Sequence, residues 1–365
     1  MESKKLKEML SHFITEGVVD TILPLGNGLI NDTYKITTKG NSPDYVLQRI
    51  NNAVFTDVDM LQHNIEVVTS HIRHKLEKQG EEDIDRKVLR LIPTDEGKTY
   101  FKDTDEKYWR VSVFIPRAKT YETVNPEYSY DAGKAFGHFE SMLVDLSEEL
   151  GETIPDFHNM ELRMQQLREA VQANPKGRLT EVQSMIDELE SHAEEMCKAE
   201  RLHREGKLKK RICHCDTKVN NMLFDENGKV LCVIDLDTVM PSFVFSDYGD
   251  FLRTGANTVP EDSPEFDKID FRMDIFEAFT RGYLDSAQSF LEPIEIENLP
   301  YAAKLFPFMQ CVRFLTDYIN GDIYYKITYD NHNLVRAQNQ LCLFRSVCKH
   351  EPEMTNFIKS CLKNK

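Results

Sequence analysis

The 365-residue chain contains no apolar run long enough to span a bilayer. Its first residues, Met1-Glu-Ser-Lys-Lys-Leu6, hold no apolar core of the kind a secretory leader requires. Glycine (16) and proline (14) are too few to make a long flexible linker, and neither an internal repeat nor a low-complexity tract is visible. Positive charge is scarce: 45 Lys and Arg face 61 Asp and Glu, a formal net charge of −16. A general nucleic-acid binder needs a basic face to displace counterions, and an anionic membrane repels such a chain, so neither partner is expected. The eight cysteines (Cys197, Cys213, Cys215, Cys232, Cys311, Cys342, Cys348 and Cys361) follow no framework spacing. Free thiols and a cytoplasmic location are the expectation. The triplet Cys213-His214-Cys215 is a poor zinc site, because consecutive strand residues point to opposite faces and no CxxC or HxxxH pair completes a tetrahedral set. No Cys/Ser-x-Pro-x-Arg segment exists from which formylglycine could form, which excludes sulfatase chemistry.

What is present speaks for a packed globular protein: 41% hydrophobic residues, with 21 Phe and 14 Tyr. The length allows two lobes. After a short amphipathic helix over 3–15, the pattern predicts strands at 18–25, 31–38 and 45–50. A helix over 57–78 follows, with Val58, Leu61, Ile65, Val68, Ile72 and Leu76 at three/four spacing, and then strands at 87–92, 99–102 and 108–115. Beyond Pro116 helices dominate: 132–146, 159–173, 178–206, 247–254, 266–284, 297–319 and 331–348, with short strands at 211–215, 221–224 and 230–235. The expectation is an α+β, two-lobed, protein-kinase-like fold. A small antiparallel-sheet N-lobe (1–115) would bind nucleotide, and a larger, mainly helical C-lobe (116–365) would carry catalysis and acceptor binding.

The most informative stretch is His214-Cys-Asp216-Thr-Lys218-Val-Asn-Asn221, followed by an apolar run that ends Val233-Ile-Asp235-Leu-Asp237. It fits the pattern H-x-D-x-K-x-x-N with a carboxylate arriving where the next strand ends. Phosphoryl transfer asks the protein for alignment and charge neutralisation. Asp216 is placed to orient an acceptor hydroxyl and take its proton, and Lys218 to neutralise the travelling phosphate. Asn221 and Asp235 offer the hard oxygens that Mg²⁺ prefers. The turn Asp225-Glu-Asn-Gly228 reads as the hairpin that returns Asp235 toward Asn221. Asp237 is either a second metal ligand or a support for the loop. His214 is expected to brace the loop, through Asp235 or a backbone group, rather than to titrate.

The nucleotide side is written more weakly. Gly26-Asn-Gly28 lets backbone approach phosphates, and Asn31 and Thr33 either reach phosphate oxygens or serve the turn. The third strand offers Arg49 where kinases usually carry a lysine, with Glu66 on the following helix as its candidate partner. Alternatively Arg49 faces solvent. The segment Val113-Phe114-Ile115 is where an adenine edge would meet backbone groups.

Taken together, Gly28-Leu-Ile-Asn31-Asp-Thr-Tyr, Tyr45-Val-Leu-Gln-Arg-Ile-Asn51, Asp216-Thr-Lys-Val-Asn-Asn221, Cys232-Val-Ile-Asp-Leu-Asp-Thr-Val-Met-Pro241, Asp247-Tyr-Gly-Asp250 and Arg313-Phe-Leu-Thr-Asp-Tyr resemble the aminoglycoside phosphotransferase/choline kinase superfamily. Within it, the likeness is to the N-acetylhexosamine 1-kinases. That resemblance implies ATP-dependent, Mg²⁺-assisted phosphorylation of the anomeric hydroxyl of N-acetylglucosamine or N-acetylgalactosamine, with Asp216 as base. It also implies Thr238, Arg313 and Tyr324 at the sugar. The chain departs from the family at Cys215 and in the glycine-free Ser242-Phe-Val-Phe245 segment. A choline-, homoserine- or aminoglycoside-type acceptor is the alternative within the superfamily, and a catalytically silent binding protein is the alternative outside it. The intact Asp216/Lys218/Asn221/Asp235 set argues against the latter.

Overall fold

The structure is a computed structural model and describes residues 2–26, 30–121 and 124–363. The chain divides into two compact units. The first comprises residues 1–120, 145–155 and 222–240, and the second comprises 121–144, 156–221 and 241–365. The expected N-lobe, 1–115, lies within the first unit, which also draws in two later segments.

The first unit is built on an antiparallel sheet: β1 Val19–Pro24, β2 Asp32–Thr38, β3 Tyr45–Ile50, β4 Leu91–Ile92, β5 Phe101–Lys102 and β6 Tyr108–Val113. The order is β1-β2-β3-β6-β4, with β5 also paired to β6. Alternation along the strands sends Ile36, Tyr45, Leu47, Trp109 and Val111 to one face. There they pack with Leu6, Met9 and Leu10 of the N-terminal helix Glu2–Leu10, and with Phe13. The helix Val58–Lys78 starts where Asp57 accepts the Met60 N–H at 2.9 Å, and all six apolar positions named above are buried. From its inner face Asn64 donates to the carbonyls of Gly151 (2.8 Å) and Val239 (2.9 Å). These bonds fasten both late segments to the unit. Of the strand predicted over 87–92 only Leu91–Ile92 forms, and Lys87 ends a helical turn, Ile84–Lys87. Arg86 is buried in that turn, and its guanidinium donates to the carbonyls of Pro116 and Arg117. The later hairpin pairs Met222–Phe224 with Val230–Val233.

The second unit is helical. Pro126–Met142 and Met273–Ala287 approach so closely that glycine is required on both: a Cβ on Gly133 would lie 2.1 Å from the Phe279 carbonyl oxygen, and one on Gly282 would lie 2.0 Å from that of Tyr130. Leu299–Asn320, apolar on nearly every face, runs through the core and packs on the long helix His332–Lys363. That last helix outruns its predicted end. It continues past Pro352 because Met354 and Ile358 stay in phase with the buried face. The stretch predicted as one helix over 178–206 breaks at Cys197 into Leu179–Met196 and Lys198–Arg204, and the helix predicted from 266 starts at Met273 after a 3-10 turn.

Candidate active site

The loop that follows strand Arg211–Cys213 is held by one carboxylate. Asp247, fully buried in the first turn of helix Phe245–Gly255, accepts the His214 N–H at 2.8 Å and the Cys215 N–H at 2.7 Å. Its carbonyl accepts the Thr217 hydroxyl at 2.7 Å. The clasp lets Cys215 sit at φ +63°, a left-handed conformation that turns the chain sharply into Asp216. His214 braces the loop as expected, through a backbone group: its Nδ1 accepts the Asp216 N–H at 3.3 Å.

Asp216 is thereby presented with its neighbours in order. One carboxylate oxygen lies 2.6 Å from Lys218 Nζ, and the other accepts Asn221 Nδ2 at 3.1 Å. Asn221 Nδ2 also donates to the Asp216 carbonyl at 2.8 Å, so the amide is oriented with its nitrogen toward Asp216. Burial works to raise the Asp216 carboxyl, but Lys218, His214 and Asn221 outweigh it and hold the group below its ordinary value of 3.8. For Lys218 burial works downward, and Asp216 together with Asp250 carries the ammonium above 10.5. Asp250, part of the quoted Asp-Tyr-Gly-Asp segment but given no role from sequence, is 6% exposed and bound by Arg253 Nε at 3.1 Å. The result is an ionised carboxylate beside a protonated ammonium, chemistry that could take a hydroxyl proton and neutralise phosphate charge.

In the first unit, Asp235 is solvent-exposed at φ +60°, opening the 3-10 turn Leu236–Thr238. The half-buried Thr238 ends that turn, and the neighbouring Val239 carbonyl is anchored by Asn64. Asp237 takes the supporting role. It is buried, and it accepts Asn31 Nδ2 at 2.6 Å and pairs with Arg110 at 2.5 Å. Asn31 also accepts the Asn51 N–H at 2.9 Å, so its side chain bridges Asp237 and the end of β3. Thr33 accepts Gln48 Nε2 at 3.1 Å. Gly26 has φ +72° with open space beside its Cα, and Gly28 lies outside the described residues.

The Arg49–Glu66 pair does not form. Arg49 is 42% exposed and bonds Asp32 on the adjacent strand, while Glu66 accepts from the Thr99 hydroxyl. Strand alternation is the reason: Gln48, not Arg49, faces the Val58–Lys78 helix. Opposite Gln48 in register stands Arg110, which donates to Gln48 at 2.9 Å, to Gln62 of the helix at 3.3 Å, and pairs with Asp237. Arg110, 5% exposed, is a buried cation of this unit, as is Arg86, and the sequence singled out neither. In the segment expected to meet adenine, the Phe114 N–H is already bonded to the Asp44 carbonyl at 2.8 Å and Lys35 Nζ lies 3.8 Å from the Phe114 ring centre. Ile115 is buried at 5% exposure. A base edge would therefore have to use backbone groups of this segment other than the Phe114 amide.

Arg313 and Tyr324 meet within the second unit. The Arg313 guanidinium stands 5.9 Å from the Tyr324 ring, 5.6 Å from Tyr325 and 5.4 Å from Phe157. Its hydrogen bond goes to Gln310 at 3.2 Å, and no carboxylate pairs with it among the described residues. Tyr324 is 66% exposed, so it is not core. Arg163 holds the carbonyls of Asp156 and Phe157 from beneath at 3.0 and 2.8 Å. Burial and then the charge of Arg313 push its guanidinium down to about 10. The same two influences, with Arg163 and Arg253, keep His158 neutral.

Solved structures share this architecture. An aminoglycoside phosphotransferase from Alicyclobacillus acidocaldarius superposes with a TM-score of 0.64 at 14% identity over 97% of this chain and 96% of that one. The choline kinase LicA from Streptococcus pneumoniae gives 0.57 at 15% over 95% and 99%. A spectinomycin phosphotransferase in complex with ADP and spectinomycin gives 0.56 at 15% over 96% and 98%. At these identities the likeness establishes the fold. The profile of the APH phosphotransferase enzyme family matches residues 21–285, which include the Asp216 loop, the Asp235 turn and the Asp247 clasp, and the chain belongs to that family.

Proposed function

We propose that the protein transfers the γ-phosphoryl group of ATP to the anomeric hydroxyl of an N-acetylhexosamine, N-acetylglucosamine or N-acetylgalactosamine, releasing the sugar 1-phosphate. Family membership supports phosphoryl transfer, and the fold it shares with a phosphotransferase solved with ADP supports a nucleotide donor. Asp216 accepts the acceptor proton, and Lys218 neutralises charge on the transferring group. Asn221, whose amide nitrogen already serves Asp216, has its carbonyl oxygen for Mg²⁺, and the exposed Asp235 carboxylate is the other donor proposed. Both are hard oxygen ligands, which fits that ion. When bound, Mg²⁺ neutralises the phosphate oxygens and lowers the cost of charge development.

One observation carries the acceptor assignment. Arg313, with Arg163 nearby, sets positive charge beside the exposed Tyr324 with no carboxylate paired to either arginine among the described residues. A neutral polyol gains hydrogen-bond donors and an aromatic wall there. Choline, ethanolamine and aminoglycosides would meet like charge where their recognition calls for carboxylates or aromatic cages. ATP consumption measured across N-acetylhexosamines, plain hexoses, choline, homoserine and an aminoglycoside tests the assignment. Turnover is expected with N-acetylhexosamines first, and turnover confined to cationic acceptors would reject it.

A further inference from the structure

Behind the catalytic loop lies a carboxyl group that the mechanism above does not use. Glu140, on helix Pro126–Met142, is 2% exposed. Its Oε2 accepts the Tyr283 hydroxyl at 2.6 Å, whereas its Oε1 is buried with no hydrogen-bond donor among the described residues. One oxygen of Glu140, one of Asp247 and Cys213 Sγ lie within 4.8 Å of one another. Among the described residues no Lys or Arg pairs with either carboxylate, and the buried His214 imidazole is the group beside Asp247 whose charge would favour its ionised form. The nearest guanidinium, Arg211, is bound in both directions by Glu295, at 2.6 and 2.7 Å. The titratable groups around Glu140 are therefore Asp247, Tyr283, Cys213 and Glu295, all acidic or neutral, with Arg211 already paired and the His214 imidazole, packed on Phe136 and Phe139, acting on Asp247. Two ionised carboxylates at such a distance in a dry interior would repel strongly. Asp247 is the one that must stay ionised, since its two oxygens receive backbone N–H groups from His214 and Cys215.

We propose that Glu140 is a neutral carboxylic acid in the folded protein and that its Oε1–H donates to Asp247, making Glu140 the positioning residue behind the loop that presents Asp216. The proton satisfies both defects at once: Oε1 gains a partner and Asp247 gains a third donor. Burial first, then Asp247 and Glu295, push the Glu140 carboxyl well above its ordinary value of 4.5. The proposal rests on Asp216 acting as the base only for its activity readout.

The linkage has a definite sign. The unfolded chain releases this proton near the ordinary glutamate value and the folded chain keeps it. Stability from the group is thus complete below about pH 4.5 and declines as pH rises, by up to roughly tenfold in the folding constant per pH unit. Glu140→Gln removes the titration but keeps an N–H donor for Asp247 and an oxygen for Tyr283. Two measurements follow. In the first, the infrared difference between wild type and Glu140→Gln at neutral pH, with and without carboxyl-labelled glutamate, should contain a protonated-carboxyl band that shifts with the label, which separates Glu140 from the buried Glu200, whose carboxyl burial pushes up to about 7. In the second, the Tm of Glu140→Gln minus that of wild type should rise steadily from pH 5 to pH 8, while Glu140→Ala loses at least tenfold in kcat that Glu140→Gln restores. A label-sensitive band and a rising Tm difference support the proposal whatever the acceptor proves to be. A missing band, or a Tm difference flat with pH, overturns it.

Discussion

The role of base proposed for Asp216 asks for a carboxylate that stays charged while it remains reachable. Its side chain is 27% exposed. Burial alone would raise its proton affinity, and Lys218, His214 and Asn221 more than reverse that. The acid limb of kcat/KM that belongs to Asp216 should therefore lie below pH 3.8, because a depressed carboxyl stays ionised until the pH falls through its folded value. A pH–rate profile checks this, and a limb for this group above pH 5 would count against the reading. Asp216→Asn keeps the shape and removes the charge. It should lower kcat by about 10²–10⁴-fold with Tm nearly unchanged. This residue was readable from sequence because the chemistry confines its residue types to eight consecutive positions. Asp247 was quoted in a motif without a role: its partners lie on another element, and only the folded chain brings its carboxylate under the loop's amides.

At the scale of elements, two constructions decide what the site residues can do. The segment bearing Tyr324 is gathered on Asp317, whose carboxylate accepts the N–H groups of Ile323 (2.9 Å), Tyr324 (2.8 Å) and Tyr325 (2.9 Å), and the side chain of Asn333 (2.9 Å). Asp317→Asn turns one acceptor into a donor facing those amides. We expect roughly a tenfold rise in acceptor KM with ATP KM unchanged, seen in steady-state kinetics with each substrate varied in turn. Equal effects on both KM values would show a general loosening instead. The second construction is the glycine crossing of Pro126–Met142 on Met273–Ala287, which sets Glu140 against the Tyr283 hydroxyl. Gly133→Ala should lower stability by at least about 1–3 kcal/mol in denaturant titration, since the new methyl meets backbone rather than a movable side chain. The existence of most of these helices followed from apolar spacing. Their ends did not: whether a helix stops at Cys197 or runs through Pro352 depends on what covers it.

For the molecule as a whole, the order of elements, strands first and helices after, carried the fold class, and it carried it because the two patterns have different periods. Pairings between distant parts of the chain were beyond it. Arg49 and Glu66 were the cation and carboxylate nearest the expected places in sequence, whereas the folded first unit buries Arg110 against Asp237, both side chains under 10% exposed. Strand parity decides between the two arginines, and parity needs the register that only pairing fixes. Arg110→Met should cost about 3–5 kcal/mol, because it strands the Asp237 charge, and replacing Asp237 with Asn in the same chain should recover part of that loss. Denaturant midpoints of the two single variants and the double variant measure it.

The most direct test of the proposed reaction is a phosphorus–proton correlation spectrum of the product formed from ATP, Mg²⁺ and N-acetylglucosamine or N-acetylgalactosamine. The transferred phosphorus should couple to the proton on the anomeric carbon, and the product should be absent with Asp216→Asn. Coupling to a proton at any other ring position, or no phosphorylated sugar from an enzyme that turns over a different acceptor, would contradict it.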